Sequence, residues 1–371
     1  MATITLEGIR RVHPDGTAAL DGIDLHVEDG EFLGVIGPSG AGKSTLLRVI
    51  AGLEEPSAGV VRLDGQDVEG MRMKDRNLAM VSQSQNLLSF LDVAGNVALP
   101  LEFQKKSAQE VDRRTGQERR SFRLGSIWGK KASALSGGDA QRTALARAMV
   151  RAPRALLADE PLQLLDPPSA NELRREMHRV QREHHLTMIY TTNDHNQVLG
   201  IADRVAVIRR GRLVQVGPPE ELLHRPVSSY VAGFVGEPAM TMVTARLGDE
   251  SGLGRLWFGQ QWVRFPGGLP GPLRDRVGQE VLVGARPDRL RGSELVDPVD
   301  ARLEGTVVTV QRLGPYDLVE VRVSTGVWQA TFDSDRRVQP GDQVEVTVDV
   351  RGLTVFSRNG ASALWHADEP G

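Results

Sequence analysis

Cysteine is absent from the 371 residues of this chain. Its absence excludes disulfide bonds, thiol nucleophiles and zinc sites built on cysteine. The sequence also lacks any run of about eighteen consecutive apolar residues, the length that a membrane-spanning helix needs. Its first residues, MATITLEGIR, do not show the charged-then-apolar pattern of a signal peptide. We therefore expect a cytoplasmic protein that reaches a membrane only through a partner.

Charge of one sign is not in large excess either. A formal net charge of −3 with 25% charged residues describes an ordinary soluble surface. Such a balance does not indicate a chain that binds nucleic acid along its length, and we expect no nucleic-acid partner. The length and the hydrophobic content of 40% are enough for two cores, so two domains are expected.

Short apolar runs without polar alternation lie at residues 31–36, 155–158 and 186–191. Such runs are typical of strands that are buried on both faces of a parallel sheet. Polar residues follow each run. In open α/β sheets, ligands bind in the crevice at the carboxyl ends of the strands. Three polar clusters that converge there predict a ligand site.

After about residue 236 the pattern changes. The segments LVEVRV (318–323) and VEVTVDV (344–350) alternate with period two, which is typical of half-buried strands. Turn-rich segments such as FPGGLPGPL separate the strands. We therefore predict an α/β domain over residues 1–235 and a small all-β barrel or sandwich over residues 236–371.

The segment GPSGAGKST fits the phosphate-binding pattern G-x-x-x-x-G-K-[ST] in full. It follows a predicted strand and opens a helical run, STLLRVIAGL. Backbone N–H groups of such a loop converge on phosphate oxygens at the positive end of the helix dipole. Lys43 is expected to contact the β- and γ-phosphates, and the Ser44 hydroxyl to ligate Mg²⁺. The predicted cradle consists of Gly37, Pro38, Ser39, Gly40, Ala41, Gly42, Lys43, Ser44 and Thr45.

Two acidic residues, Asp159 and Glu160, end the run RALLADE. Asp159 is placed to hold Mg²⁺, and Glu160 is placed to orient or deprotonate an attacking water. An exposed acidic turn after a strand is the alternative interpretation.

A second candidate anion site lies at LSGGDAQR, residues 135–142. Ser136, Gly137 and Gly138 lead into the helical run AQRTALARAMV, so backbone N–H groups at a helix start are again available. An ordinary glycine-containing helix start is the alternative. The order P-loop, LSGG, ALLADEP resembles the ATP-binding-cassette (ABC) ATPases.

This resemblance implies an α/β P-loop NTPase fold with a helical subdomain at about 86–155, and ATP and Mg²⁺ as cofactors. It also implies a homodimer in which the LSGG segment of one copy closes over the γ-phosphate held by the other. Gln83, in MVSQSQNLL, matches the Q-loop, which senses the γ-phosphate or Mg²⁺ and touches the permease. Asp166, in PLQLLD, matches the D-loop at the dimer contact.

The C-terminal segments VLVGARPDRL and GTVVTVQRLGPYDLVEVRV are similar to those of the maltose-importer type of ABC ATPase. In that group the second domain is an oligonucleotide-binding-like (OB-like) regulatory module without nucleic-acid function. The resemblance therefore implies an ATP-hydrolysing subunit of a bacterial sugar importer. Its partners would be integral-membrane permease subunits and, through them, an extracytoplasmic solute-binding protein. The protein would lie on the inner face of the plasma membrane.

The chain departs from the family at Asn193, where the family carries a switch histidine. The asparagine amide still donates a hydrogen bond, but it is shorter and cannot carry a proton's charge. Loss of a preorganised donor of this kind costs a factor of about 10² to 10³ in turnover. We therefore predict a slow ATPase. A nucleotide-gated regulatory subunit that scarcely hydrolyses ATP is the alternative, opposed by the intact Lys43, Gln83 and Glu160.

Milder departures lie at two further positions. His13, in RRVHPDG, stands where the family has an aromatic residue that stacks on adenine, so it is either an adenine contact or a plain turn histidine. Asp139 replaces the glutamine that usually follows LSGG. A carboxylate at a helix start is favourable by itself, but it adds repulsion near phosphate.

The basic stretch 112–131 is either a solvated helical face or a contact for anionic lipid headgroups.

Overall fold

The structure, a computed structural model, describes residues 2–292 and 302–367. They form two compact units, Met1–Pro219 and Glu220–Gly371. The predicted domain boundary between residues 235 and 236 stays a prediction. Residues 293–301 and 368–371 of the predicted second domain lie outside the described residues.

The first unit is built from two sheets and a set of helices. Its strands are β1 (Ile4–Val12), β2 (Ala18–Val27), β3 (Phe32–Ile36), β4 (Ala58–Leu63), β5 (Gln66–Asp67), β6 (Leu78–Val81), β7 (Ala155–Asp159), β8 (Thr187–Thr192), β9 (Arg204–Arg209) and β10 (Arg212–Gly217). Its helices are α1 (Lys43–Ala51), α2 (Val93–Phe103), α3 (Ala108–Ser121), α4 (Gly137–Met149), α5 (Pro167–His184) and α6 (Asn196–Leu199).

The central sheet has the strand order β10-β9-β3-β8-β7-β6. Strands β6 to β9 and β3 run parallel to their neighbours within it, and β10 pairs with β9 in the antiparallel direction. Every residue of β3, β7 and β8 is buried, which explains their continuous apolar sequences. The three strands predicted from those runs are therefore confirmed.

The register of the central sheet brings three strand ends to one edge. Ile36, the last residue of β3, pairs with Thr192, the last residue of β8. Asp159, the last residue of β7, pairs with Thr191 of β8. Because the strands are parallel, the residues that follow them meet at the same carboxyl edge.

Helix α1 lies in the hydrophobic core between the two sheets of this unit. Its residues Leu46 and Ile50 share one core cluster with Ile4 of the antiparallel sheet β2-β1-β4-β5 and with Ile189 of the central sheet. The end of α1 is fixed by the buried guanidinium group of Arg76. This group donates to the carbonyl oxygens of the last turn, at 3.0 and 2.8 Å. The helix that follows the P-loop is thus held along its length and at its end.

Helices α2, α3 and α4 pack against one another. Several cations of the basic stretch 112–131 have partners within the chain. Arg113 donates to Glu110 at 2.9 Å, and the Arg119 guanidinium lies 5.4 Å from the centre of the Trp128 ring. The side chain of Lys131 donates to a backbone carbonyl oxygen at 2.8 Å. The two interpretations of the stretch, a solvated helical face and a contact for anionic lipid headgroups, stay predictions.

The second unit is rich in β-structure. Its strands are β11 (Thr241–Glu250), β12 (Leu253–Phe258), β13 (Gln261–Arg264), β14 (Glu280–Ala285), β15 (Leu290–Gly292), β16 (Arg302–Arg312), β17 (Tyr316–Val323), β18 (Gly326–Asp333), β19 (Gln343–Val348), β20 (Leu353–Phe356) and β21 (Ala363–His366). Two short helices, α7 (Pro219–His224) and α8 (Ser229–Phe234), precede them.

These strands form a closed barrel, β15-β18-β17-β16-β19, and a sheet of order β13-β12-β11-β14-β20-β21. The predicted all-β module is confirmed. The predicted strand at 344–350 ends earlier, at Val348, because the Asp349 carboxylate accepts the backbone N–H of Arg351 and starts a short helical turn. Among the described residues, no helix is both long and apolar enough to cross a membrane.

Candidate functional site

The P-loop follows β3 and passes between two neighbouring backbones. A Cβ atom at Gly37 would lie 2.3 Å from the carbonyl oxygen of Ile208, and one at Gly42 would lie 2.4 Å from that of Ala19. Gly42 also has a φ of 107°, outside the range of most side chains. Glycine is therefore required at both positions by close backbone approach. The predicted strand–loop–helix context of the P-loop is observed.

The start of α1 differs from the start of the other long helices. Side chains cap α2, α3, α4 and α5, each accepting a backbone N–H of the first turn. Gly42, the residue before α1, has no side chain to do so. In the described part of the chain, the first-turn N–H groups of α1 thus have no side-chain cap, and they lie at the positive end of the helix dipole.

Lys43 is a buried cation at the carboxyl edge of the sheet, with 4% of its surface exposed. Its Nζ donates to the carbonyl oxygens of Gly37 and Pro38, at 2.9 and 3.1 Å, and to Oδ1 of Asn193. The Glu160 carboxylate lies 3.4 Å away. Burial lowers the pKa of Lys43, and the charge of Glu160 opposes that shift. The ammonium group is therefore concentrated where a polyanion would lie.

The acidic pair stands beside this cation. The hydroxyl of Ser44 donates to Oδ1 of Asp159 at 2.9 Å, and that of Thr191 donates to the same oxygen at 2.8 Å. Glu160 follows β7 with a φ of 47°, and its backbone N–H donates to the carbonyl oxygen of Thr191 at 3.1 Å. The two carboxylates thus have different surroundings: Asp159 faces hydroxyls, whereas Glu160 faces Lys43.

Asn193 joins the cation to the carboxylate. Its Oδ1 accepts a hydrogen bond from Lys43, and its Nδ2 donates to Oε2 of Glu160 at 3.2 Å. The loop that carries Asn193 is held by Gln197, whose Oε1 accepts from the Tyr190 hydroxyl at 2.8 Å. The amide is therefore oriented by contacts on both sides.

These groups fit a nucleotide triphosphate with Mg²⁺. Free first-turn N–H groups and Lys43 would hold the phosphates, and Ser44 with Asp159 would hold the metal. No cluster of three or more His, Asp or Glu side chains suited to a metal is found in the described part of the chain. Mg²⁺ in nucleotide sites needs only one or two carboxylates, because phosphate oxygens and water supply its other ligands.

The second predicted cradle begins α4. The Ser136 hydroxyl caps this helix by accepting the backbone N–H of Asp139, and Ser136 and Gly137 are exposed. The contacts described for this segment are with the start of α5: a Cβ at Gly137 would lie 3.3 Å from Leu165, and one at Gly138 would lie 3.7 Å from Ser169. The segment therefore faces solvent beside the predicted D-loop.

Asp166 and Asp139 have local structural roles. Oδ1 of Asp166 accepts the backbone N–H of Ser169 at 3.0 Å, which lowers the pKa of this carboxyl. Asp139 lies 3.4 Å from Arg142, which also pairs with Glu176 of α5 at 3.0 Å. The positive charge of Arg142 offsets the carboxylate that replaces the family's glutamine. The ion pair between Arg142 and Glu176 also joins α4 to α5.

Gln83 and His13 both lie in loops between strands or helices. Gln83 is exposed on the loop after β6, and no hydrogen bond joins it to Lys43, Asp159 or Glu160 within the described residues. His13 is half-buried in the turn between β1 and β2, where its backbone N–H donates to the carbonyl oxygen of Thr17 at 2.9 Å. The roles of Gln83 and His13 stay predictions.

Thr191 and Arg142 are two residues at the site that the sequence did not predict. Thr191 stands inside the run LTMIYT, where a hydroxyl in an otherwise apolar buried strand must find a partner. That requirement was the available signal. Arg142 gives no such signal, because its partners on α5 follow only from the packing of two helices.

Comparison with known proteins gives full-length relatives. The ABC transporter family model matches residues 20–163, and the TOBE domain model matches residues 283–356. The trehalose/maltose import ATP-binding protein MalK of Thermococcus litoralis is 35% identical over 98% of this chain and 100% of its own length. The spermidine/putrescine import ATP-binding protein PotA of Thermobifida fusca is 38% identical over 98% of this chain and 88% of its own.

A solved structure shows the same cassette. The dimeric structure of MJ0796, a bacterial ABC transporter cassette, has a TM-score of 0.54 and 28% identity, and it covers 58% of this chain and 98% of that one. The family models match segments of both units, and the relatives match nearly the whole chain. The chain belongs to the ATP-binding proteins of the ABC transporter family, in the group with a C-terminal TOBE domain.

Proposed function

We propose that this protein hydrolyses ATP as the energy-coupling subunit of a carbohydrate importer. The observation that carries the proposal is the meeting of Lys43, Asp159, Glu160 and Asn193 beside the uncapped start of α1. A cation, a metal-side carboxylate, a base and an amide donor are the parts that phosphoryl transfer to water requires.

Each residue has a distinct part in the reaction. Mg²⁺, when bound, neutralises charge on the phosphate oxygens. Lys43 and the N–H groups of α1 bind and orient the phosphates. Glu160 lies 3.4 Å from the Lys43 ammonium group, and its carboxylate accepts the proton of the attacking water. The Asn193 amide holds the Glu160 carboxylate in place and donates toward the phosphate side of the site.

The proposed working unit is a homodimer with two composite sites. Ser136, Gly137 and Gly138 present N–H groups at an exposed helix start, and Asp166 lies at the neighbouring helix start. In two-fold symmetry these surfaces of one copy complete the P-loop site of the other. The dimeric cassette of MJ0796, which covers 58% of this chain, supports this arrangement. Gln83 is proposed to sense the γ-phosphate or Mg²⁺ and to contact the permease.

The proposed solute is a sugar. The trehalose/maltose relative matches this chain over its whole length, whereas 88% of the spermidine/putrescine relative is covered. Both are named as import proteins, which supports permease partners and, through them, an extracytoplasmic solute-binding protein. The chain would then lie in the cytoplasm, bound to the inner face of the plasma membrane by its permease.

Replacement of the base tests the proposed chemistry. Glu160→Gln keeps the size of the side chain and an oxygen that can accept from the Asn193 amide, but it removes the proton acceptor. Turnover should therefore fall by about 10²- to 10⁴-fold while ATP still binds. Phosphate release and ATP binding are measured on the purified chain. The exposed Glu69→Gln serves as the matched control and should hydrolyse like the wild type. Turnover that survives in Glu160→Gln would show that another group is the base.

Solute uptake tests the importer assignment. In the native host, replacement of the wild-type gene by a Lys43→Ala variant should abolish uptake of radiolabelled maltose or trehalose, because the buried cation that binds phosphate is gone. Spermidine uptake should remain. A strain re-supplied with the wild-type gene is the control, and permease subunits should co-purify with the protein from its membranes. Loss of spermidine uptake alone would contradict the sugar assignment.

Substitution at Asn193 tests the prediction of slow turnover. Asn193→His restores a longer donor that can carry a charge, and it should raise turnover by up to about 10²-fold. Asn196→His, three residues further on at the exposed start of α6, is the matched control and should change little. A wild-type rate equal to that of other family members, with no gain in Asn193→His, would refute the prediction.

A further inference from the structure

Thr191 is a hydroxyl residue inside a strand that is buried throughout. It lies on β8, two residues before Asn193, and none of its surface is exposed. A buried hydroxyl away from water is stable only when it is hydrogen-bonded. Its partners therefore show what the hydroxyl is for.

The partners of Thr191 are the two acidic residues of the site. Its Oγ1 lies 2.8 Å from Oδ1 of Asp159 and accepts the backbone N–H of Glu160 at 3.3 Å. A threonine hydroxyl has one hydrogen to donate. The other acceptor within reach, the carbonyl oxygen of Ala158, is 3.5 Å away and too distant to compete. The hydrogen is thus donated to Asp159.

The hydrogen bond from Thr191 orients the Asp159 carboxylate through a group that is not itself a proposed Mg²⁺ ligand. Oδ1 of Asp159 receives two hydroxyl hydrogen bonds, from Ser44 and from Thr191. Ser44 is itself a proposed magnesium ligand, whereas Thr191 is buried behind Asp159 in the sheet. Thr191 therefore supplies a donor that orients the carboxylate and does not take part in metal binding.

The same residue supports the backbone of the base. The backbone of Glu160 is left-handed, with φ of 47°, a conformation that residues other than glycine adopt only at a cost in free energy. The backbone nitrogen of Glu160 lies 3.1 Å from the carbonyl oxygen of Thr191 and 3.3 Å from its Oγ1, and its N–H donates to both. Both acceptors on Thr191 thus hold the peptide that precedes the Glu160 side chain.

We infer that Thr191 is a positioning residue of the ATPase site, which sets the orientation of the Asp159 carboxylate toward Mg²⁺ and the backbone of Glu160. The inference rests on the proposed ATP hydrolysis at this site. Thr191 touches neither the nucleotide nor the metal; it acts through the two acidic residues. Loss of its hydroxyl should therefore weaken the affinity of the nucleotide site for Mg²⁺ rather than abolish nucleotide binding.

The test measures ATP binding to the full chain as a function of Mg²⁺, in a Glu160→Gln background that removes turnover. Thr191→Val deletes the hydroxyl at nearly constant shape, and it should raise the Mg²⁺ concentration for half-maximal binding about 10- to 100-fold. ATP affinity in EDTA should be unchanged. Thr191→Ser restores the hydroxyl and should return the Mg²⁺ dependence toward the background value.

Thr187→Val is the matched control on the same strand. Thr187 is equally buried, but its hydroxyl donates to the carbonyl oxygen of Ala2 at 2.8 Å, at the other end of β8. Both valine variants should lower the melting temperature of the ligand-free protein by similar amounts, since each removes a buried hydrogen bond. Only Thr191→Val should shift the Mg²⁺ dependence.

The outcomes separate this inference from the proposed function. An unshifted Mg²⁺ dependence in Thr191→Val, or an equal shift in Thr187→Val, overturns the positioning role while ATP binding by the background stands. A background protein that binds no ATP with Mg²⁺ overturns the proposed function. If Thr191→Val does not fold, Thr191→Ala, which also lacks the hydroxyl, carries the same expected shift.

Discussion

One buried positive charge, that of Lys43, sets the constraints on this site. An ammonium group taken out of water is stable only with close acceptors or counter-charges. Gly37, Glu160 and Asn193 supply them, and these residues follow three different strands, β3, β7 and β8. The acceptors meet only because the three strands are parallel, adjacent and in matching register. The sheet topology and the charge of the site therefore depend on each other.

The rest of the first unit can be understood from what it does for this edge. Helix α1 is anchored in the core by its apolar residues and at its last turn by Arg76, so that its uncapped start is held against the strand ends. The exposed segment at Ser136 has a capped start and is tied to α5 through Arg142. One chain thus carries an interior cradle with a buried cation, Lys43, and an exposed surface cradle whose neighbouring cation, Arg142, is paired with Asp139 and Glu176. That asymmetry supports the proposal that the surface cradle serves a second copy.

Short-range patterns in the sequence were sufficient to predict much of the site at the sheet edge. The P-loop spacing, the acidic pair after an apolar run and the buried strands predict the sheet edge, because each is encoded by neighbouring residues. The bridging of Lys43 and Glu160 by Asn193 and the position of Thr191 behind Asp159 depend on strand order and register. The pairing of Arg142 with Glu176 depends on how two helices face each other. Such long-range contacts leave no local pattern in the sequence.

The central claim is that neither copy completes its own nucleotide site, and mixed dimers test it most directly. Lys43→Ala disables the interior cradle, and Ser136→Arg blocks the surface cradle, so each variant alone should lack ATPase activity. When equal amounts are mixed, half of the dimers should contain both variants and one intact composite site. The account predicts recovery of about a quarter of the wild-type activity. No recovery at any mixing ratio, or full activity of Ser136→Arg by itself, would contradict it.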